Sequence, residues 1–443
     1  MIGDWIRGPI NTQYQASQQR YARYQRYMAA YQGLAYREIG SLGRSAEAKR
    51  IKHNLARPIC NISAGWLAGD HVKWVVHSED DKTRERLSRQ AEDIWDRSGS
   101  DANFLQAALA GTIYGEIAGI ARLSSPGKAR IDFVDPCICE PVFSDSNIDD
   151  LTSLIIEYRK SNREQYREVW TKNDLTVTDG KVETVTEYSL PDIPAVWIRN
   201  QSMKGILWGI SDLDGVIEAL MEYEHICAKQ TRIVDYYSAP TIIIEGATAK
   251  DLTKDMKSVW FLKDGAKASF LEWQGNTPAV DKDLERLRRT ISEVSETPQI
   301  ALGHMEMGFS HSTGIAMKVL YGPLEGKTIR KRASWGPALE RLMWLALAIE
   351  GETVNVEDVD IVWQDPVPQS TQENLQNALL KQKIGVPNEQ LQKEAGYDDA
   401  EMSRMKAAMD AQMAIAEPQT PAQGELGVRM PPDPSNILKG QQG

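Results

Sequence analysis

The residues of this chain best suited to chemistry lie in four short stretches. Gly322–Thr328, GPLEGKT, has the glycines, lysine and hydroxyl of a phosphate-binding loop. In such a loop backbone N–H groups cradle phosphates and the lysine meets their charge. Here the spacing is one residue short, and the preceding IAMKVLY has helical rather than strand character. A helix interruption accounts for it better. Cys137 and Cys139 put two thiols on one face of a strand, but a structural zinc needs four ligands, and no second pair or nearby histidine supplies them. His304 and His311 stand beside Ser310 and Ser312 in GHMEMGFSHSTG. A serine nucleophile needs a defined elbow and an orienting acid, and neither is present. Residues 370–405 have helix-turn-helix spacing, yet the second helix, NEQLQKEAG, has one lysine against two glutamates. A DNA reader is expected to be more basic. No catalytic constellation, cofactor site or metal site is expected.

The whole-chain numbers point away from the same chemistries. The 443 residues are 42% apolar and 26% charged, which is globular composition with mass for about three domain-sized units. Four cysteines make no disulfide framework and suit a reducing compartment. The opening MIGDWIRGPINTQYQ has no apolar signal region, and the longest uncharged apolar run, Met343–Ile349, is far below the roughly 20 residues of a membrane span. Net charge is −11, which argues against a nucleic-acid grip over most of the surface. Residues 1–60 nevertheless hold ten Lys/Arg and three acids. This basic arm, with Arg20, Arg23 and Arg26, suggests an acidic partner.

The elements that would position these residues are mostly helical. Tyr14, Tyr21, Tyr24, Met28 and Tyr31 form one helical stripe ending at Gly33. Helices are predicted over 49–68, 81–97 and 102–120. In the last of these, Gly111, Gly115 and Gly119 would make a smooth packing ridge. Residues 120–198 read as seven antiparallel β runs, one of them folded at the Asp179-Gly180 hairpin turn. Ser211 then opens a strut helix about 40 Å long, stopped by Pro240. A small strand-bearing insert follows over 241–274, then a helix over 281–296. A helix over 315–349 is expected to break at Gly322-Pro323 and Gly336-Pro337. Residues 359–366 form a strand, 370–416 are helical, and the tail from Glu417 has disordered composition.

That order resembles the portal proteins of tailed bacteriophages. The likeness is carried by Tyr27–Gly33 with NLARPICNISAGWLAGD (54–70), Asp135-Pro136 running into Glu140-Pro141-Val142, and Ile193-Pro194-Ala195-Val196. It continues in Trp208-Gly209-Ile210-Ser211-Asp212-Leu213, Ser312-Thr313-Gly314-Ile315-Ala316-Met317-Lys318, and Gly385–Asp399. The resemblance implies an α+β, mostly helical portal-type fold. An N-terminal basic arm and Tyr-rich helix (1–45) precede a wing (46–208), a stem helix (209–238), a clip (239–280) and a second stem helix (281–300). A tunnel loop (301–314), a long kinked helix (315–350), a wing strand (351–368), crown helices (369–416) and a disordered tail (417–443) complete it.

The resemblance further implies a ring, a dodecamer, at one capsid vertex, with double-stranded DNA passing through it. Its implied partners are the major capsid protein, scaffold, the terminase large subunit and the head–tail adaptor, with no membrane. Its place would be the virion, and the host cytoplasm during assembly. Site residues expected on this basis are His304, Met305, Glu306, Met307, Phe309 and His311 in the tunnel loop. In the stem they are Asp212, Glu218, Glu222, Lys229, Arg286 and Arg289. In the clip they are Lys254, Lys257, Trp260, Lys263 and Lys267. Arg20, Arg23 and Arg26 would face the capsid wall or packaged DNA. A helix-turn-helix DNA-binding protein and a nucleotide-binding enzyme using Lys327 and Thr328 are the alternatives.

Overall fold

The computed structural model describes residues 13–34, 53–147, 149–238, 242–245, 267–270, 277–304, 314–364 and 380–383. The chain divides into two units, residues 1–368 and 369–443. In the second unit the described residues, 380–383, are helical. The rest of the helical region expected over 370–416, with the helix-turn-helix candidate, and the tail from Glu417 lie outside the described residues, apart from those four.

In the first unit the chain runs α1 (Gln13–Tyr31), α2 (Ala56–Ala68), β1 (Lys73–Val76), α3 (Asp81–Arg97) and α4 (Ser100–Tyr114). Strands β2 (Glu116–Ser125), β3 (Lys128–Val134), β4 (Cys139–Phe143), β5 (Leu151–Arg159), β6 (Gln165–Trp170), β7 (Asp174–Asp179), β8 (Val182–Glu187) and β9 (Ala195–Arg199) follow. Then come α5 (Ile217–Ser238), β10 (Ile242–Glu245), β11 (Lys267–Phe270), α6 (Thr277–Val294), α7 (Gly314–Ile349) and β12 (Val359–Val362).

The strand pairs are antiparallel. They form a three-stranded sheet in the order β3-β2-β9, a five-stranded meander β4-β5-β6-β7-β8, and the two-stranded pairs β1–β12 and β10–β11. The expected hairpin turn is present: Asp179 pairs with Val182, and Gly180 adopts φ +62° between them.

Helix α3 follows its local signals. Asp80 caps it by accepting from Thr83 N, and Leu87, Ala91, Ile94 and Trp95 form its buried stripe. Helix α4 departs from expectation. It stops at Tyr114, because Gly115 at φ +92° turns the chain out of the helix, and Glu116–Ser125 is a strand. The three glycines spaced by four are therefore not one ridge. Gly111 faces Trp335, Gly115 faces the Gly209 backbone, and Gly119 lies under Leu342. Each is a close approach in a different place.

Helix α5 begins at Ile217, six residues after Ser211. The Ser211 hydroxyl is spent on the carbonyls of Thr112 and Ile113 rather than on opening a helix. Helix α6 starts at Thr277, earlier than expected. Helix α7 runs unbroken through both Gly-Pro pairs for 36 residues, about 54 Å.

Three cores hold these elements. Helices α3, α4 and α7 enclose the first with β1–β12 and the β3-β2-β9 sheet, around Trp95, Phe104, Trp335 and Leu342. Helices α1, α2, α4, α5 and α6 share the second, around Tyr24, Ile59, Leu213, Leu220, Tyr223 and Ile291. The third lies between the two larger sheets, around Leu154, Ile156, Trp170 and Trp197. Helix α4 serves two cores, Phe104 and Ala108 in one and Ile113 and Tyr114 in the other. That explains its apolar residues on every face.

Candidate functional site

The segment 208–213 lies where the cores meet. Gly209 passes so close to Gly115 that a Cβ added to Gly209 would sit 1.9 Å from the Gly115 carbonyl oxygen. Asn200 N donates to that same carbonyl at 2.7 Å. Gly209 N donates to Glu116 Oε2 at 2.8 Å. Ser211 Oγ donates to Ile113 O at 2.6 Å, and Asp212 N to Thr112 O at 3.0 Å. Leu213 is fully buried in the second core. Ile210 O accepts from Asn200 Nδ2 at 3.0 Å, so each residue of the Gly209–Leu213 motif has a physical role at this junction.

Asp212 is the charge centre. Lys327 Nζ lies 3.0 Å and Lys331 Nζ 2.9 Å from Asp212 Oδ2, with all three side chains buried. Asn200 Nδ2 donates to Oδ1 at 2.8 Å. Lys331 also donates to Ser63 Oγ at 2.7 Å and Thr112 Oγ1 at 3.1 Å. Lys327 donates to Ser295 O at 2.8 Å in the turn after α6. Two ammonium groups and one carboxylate therefore join α2, α4, the 200–216 segment, the end of α6 and α7. Burial alone would raise the Asp212 carboxyl, but the charges of Lys331 and Lys327 hold it well below the usual range. Burial pushes the Lys331 ammonium down to about 8, against the pull of Asp212. Burial also drives the neighbouring Cys60 thiol up, leaving it unreactive.

Glu116 is a second buried carboxylate. It accepts from Tyr24 Oη, Trp197 Nε1 at 3.2 Å and Gly209 N, with Arg23 at 3.7 Å. Burial, with Glu116 next, raises the Tyr24 phenol well above its ordinary value.

Within the basic arm, Arg20 is absorbed in the same way. Arg20 is fully buried; it donates to Cys139 O and Glu140, both at 2.8 Å. Its guanidinium lies 4.6 Å from the Trp208 ring and 5.4 Å from that of Trp197. Arg26 pairs with Glu218, and Tyr27 Oη donates to Asp214 at 2.9 Å. The expectation that Arg20, Arg23 and Arg26 meet the capsid wall or DNA is corrected for Arg20. Its acidic partner is in its own chain, because Arg20 lies on the buried face of α1 with Tyr24, Tyr27 and Ala30.

The remaining expected residues are dispersed. Asp212 precedes the stem helix rather than lying on it. Glu222 and Lys229 are exposed on α5. On α6, Arg286 pairs with Asp283 at 2.6 Å and Arg289 with Glu285 at 3.9 Å. The two helices pack through Leu220, Tyr223, Leu287 and Ile291, and Arg288 Nε donates to Tyr223 Oη at 2.7 Å. Lys267 is exposed at the start of β11, and His304 is exposed. Met305, Glu306, Met307, Phe309 and His311, and Lys254, Lys257, Trp260 and Lys263, lie outside the described residues.

The nucleotide-loop alternative fails on geometry. Residues 322–328 are helical, the Lys327 ammonium is buried on Asp212, and Thr328 Oγ1 donates back to Leu324 O. Cys137 lies in a turn just before β4, with only Cys139 in the strand, so the two thiols do not share a strand face. Among the described residues no group of three His, Cys, Asp or Glu could hold a metal ion. No described helix is long and apolar enough to cross a membrane.

Lys331, Glu116 and Asn200 were not singled out by the sequence. The available signal for Lys331 was its spacing: Lys327 and Lys331 are one turn apart, between the apolar residues Leu324 and Trp335.

This junction falls within a match to the family described as phage portal protein, SPP1 Gp6-like, over residues 10–414. The chain belongs to that family, and its fold is the α+β portal type. No curated protein matches it significantly. Among solved structures it is similar to the neck of a native gene transfer agent (GTA) particle computed with C12 symmetry. That match has 13% identity and TM-score 0.49, covering 77% of this chain and 91% of the other. The neck of an empty GTA particle computed with C6 symmetry matches at 14% identity and TM-score 0.49, covering 77% and 89%. The virion of a native GTA particle matches at 12% identity and TM-score 0.48, covering 85% and 93%.

Proposed function

We propose that this chain forms a ring at one capsid vertex, the channel through which double-stranded DNA is packaged and ejected. In this role it is a structural protein with no catalytic step. The terminase large subunit and a head–tail adaptor would dock on the clip, residues 239–280. The major capsid protein and scaffold would surround the wing. The observation that carries this reading is the family match over residues 10–414, unbroken through the junction and the three long helices. The physics is consistent with a conduit. Each well-made Lys/Arg–phosphate contact adds salt-dependent affinity, and residues 303–314, GHMEMGFSHSTG, hold no lysine or arginine. A polyanion would slide past such a loop rather than be held.

Native mass spectrometry with negative-stain imaging of the purified full chain tests this. A closed ring of about a dozen subunits with a central hole is expected. A chain that stays monomeric both alone and when co-expressed with its capsid and scaffold proteins would overturn it.

A further inference from the structure

The described edges of the β1–β12 pair and of the three- and five-stranded sheets are closed with one exception. On β1, Trp74 N donates to Glu92 at 2.7 Å and Val76 N to Ser88 Oγ at 2.9 Å. On β3, Ala129 N donates to Glu350 at 3.0 Å and Ile131 N to Ser98 Oγ at 2.8 Å, while Arg97 takes Ala129 O. On β12, Ile361 N is held by Glu340. On β4, Arg20 and Tyr21 occupy Cys139 O, and Pro141 has no N–H to offer. Strand β9 is buried along four of its five residues. On β8, by contrast, all six residues are exposed, with Val182 at 66% and Val185 at 56%. Among the described residues no side chain reaches the β8 backbone.

The phase of the ladder shows which groups are free. Tyr188 N donates to Asn173 O, and the register continues with Thr186↔Leu175, Thr184↔Val177 and Val182↔Asp179. Antiparallel pairs alternate between bonded and non-bonded. The N–H and C=O groups of Glu183, Val185 and Glu187 therefore point away from β7, into solvent. Their side chains share one face, where Val185 ends a row running Ile155, Val169, Thr176, Val185 across four strands. Native proteins close such edges, as this one does on β1, β3, β4, β9 and β12.

We propose that the β8 edge is a docking site for an extended strand of a partner protein. The strand would carry a β-branched residue opposite Val185 and a Lys or Arg two positions to either side. The charge pattern selects the occupant. Glu183 and Glu187 flank Val185 and have no ion-pair partner among the described residues, whereas Asp179 is already neutralised by Lys160 at 2.6 Å. A second copy is disfavoured. An antiparallel β8–β8 pair centred on Val185 would set Glu183 directly opposite Glu187, a destabilising like-charge pair. The inference rests on the β8 edge alone and does not depend on the ring reading.

The probe is a capped, fluorescein-labelled nonapeptide, Thr-Thr-Lys-Thr-Val-Thr-Lys-Thr-Thr, titrated with the full-length protein by fluorescence anisotropy. Val185→Pro removes an outward N–H without touching a bond to β7. It should leave the thermal melt unchanged and weaken binding by up to about tenfold, the upper end expected for the loss of one backbone hydrogen bond. N-methylation of the central valine should do the same. Should Val185→Pro disturb folding, Glu183→Lys with Glu187→Lys keeps the backbone intact and should switch preference to the peptide with Glu in place of Lys. Absent binding at millimolar protein, equal binding by folded Val185→Pro, or equal binding of the N-methylated peptide would each overturn the proposal. A change in subunit number with Val185→Pro would show a second copy on the edge and overturn it as well. An intact ring that fails these tests would separate this failure from that of the portal role.

Discussion

Asp212 is compensated by two ammonium groups in a site closed to water, and removing it strands both. Asp212→Asn is expected to cost about 3–5 kcal/mol, the range for breaking a buried ion pair from one side, read by denaturant unfolding. The pH dependence can be signed residue by residue. Asp212 is held below its ordinary value of 3.8, so its contribution is present above that pH and is lost as the pH falls further. Lys331 behaves oppositely. The unfolded chain keeps its proton up to about 10.5, while the folded chain releases it near 8. Between these values the unfolded state binds more protons, so this group's contribution to stability rises with pH. Lys331→Met should remove that alkaline rise, as measured by unfolding at pH 7, 8, 9 and 10. A Lys331→Met curve parallel to that of the native chain would contradict the assignment.

At the scale of elements, the Gly115–Gly209 approach decides whether the 208–213 segment can reach α4 and α7. A Cβ on Gly209 meets backbone, which cannot swing aside as a side chain can. Gly209→Ala is therefore expected to destabilise more than Gly119→Ala, whose new Cβ meets the flexible end of Leu342 at 2.5 Å. Thermal melts of the two variants make the comparison. Local pattern carried much of this level. The strands over 120–198 alternate, and α3 is bounded by an N-cap and a charged face, so both were legible. The end of α4 was not, because glycines spaced by four mimic a packing ridge and only the positive φ of Gly115 separates the helix from β2. The Gly-Pro pairs of α7 misled in the opposite sense. Pro323 and Pro337 sit on its exposed side, and the 324–349 portion is held by the first core and the Asp212 junction.

For the whole molecule, the junction was illegible because its members are far apart in sequence. Ser63, Thr112, Asp212 and Lys331 meet only in three dimensions, and no local rule pairs an aspartate with a lysine 119 residues away. The family resemblance quoted the Gly209–Leu213 motif without supplying its cause, which the structure now gives. Overall charge leads to a further expectation. With net charge −11 and the buried Arg20 unavailable to phosphate, the purified protein should bind duplex DNA weakly and without sequence preference. Anisotropy with a labelled 30-base-pair duplex, from about 50 to 200 mM salt, would show this. Tight sequence-selective binding would instead favour the helix-turn-helix alternative.

The same separation along the chain sets a schedule for synthesis. Asp212 leaves the ribosome 119 residues before Lys331. At about 5–20 residues per second, the nascent chain waits roughly 6–24 s with its central carboxylate unmatched. Until α7 arrives, Asp212 has to stay hydrated, and the first and second cores cannot close over it. Chains still on the ribosome are then held open at this joint. Completion of α7 becomes the event that lets this junction close.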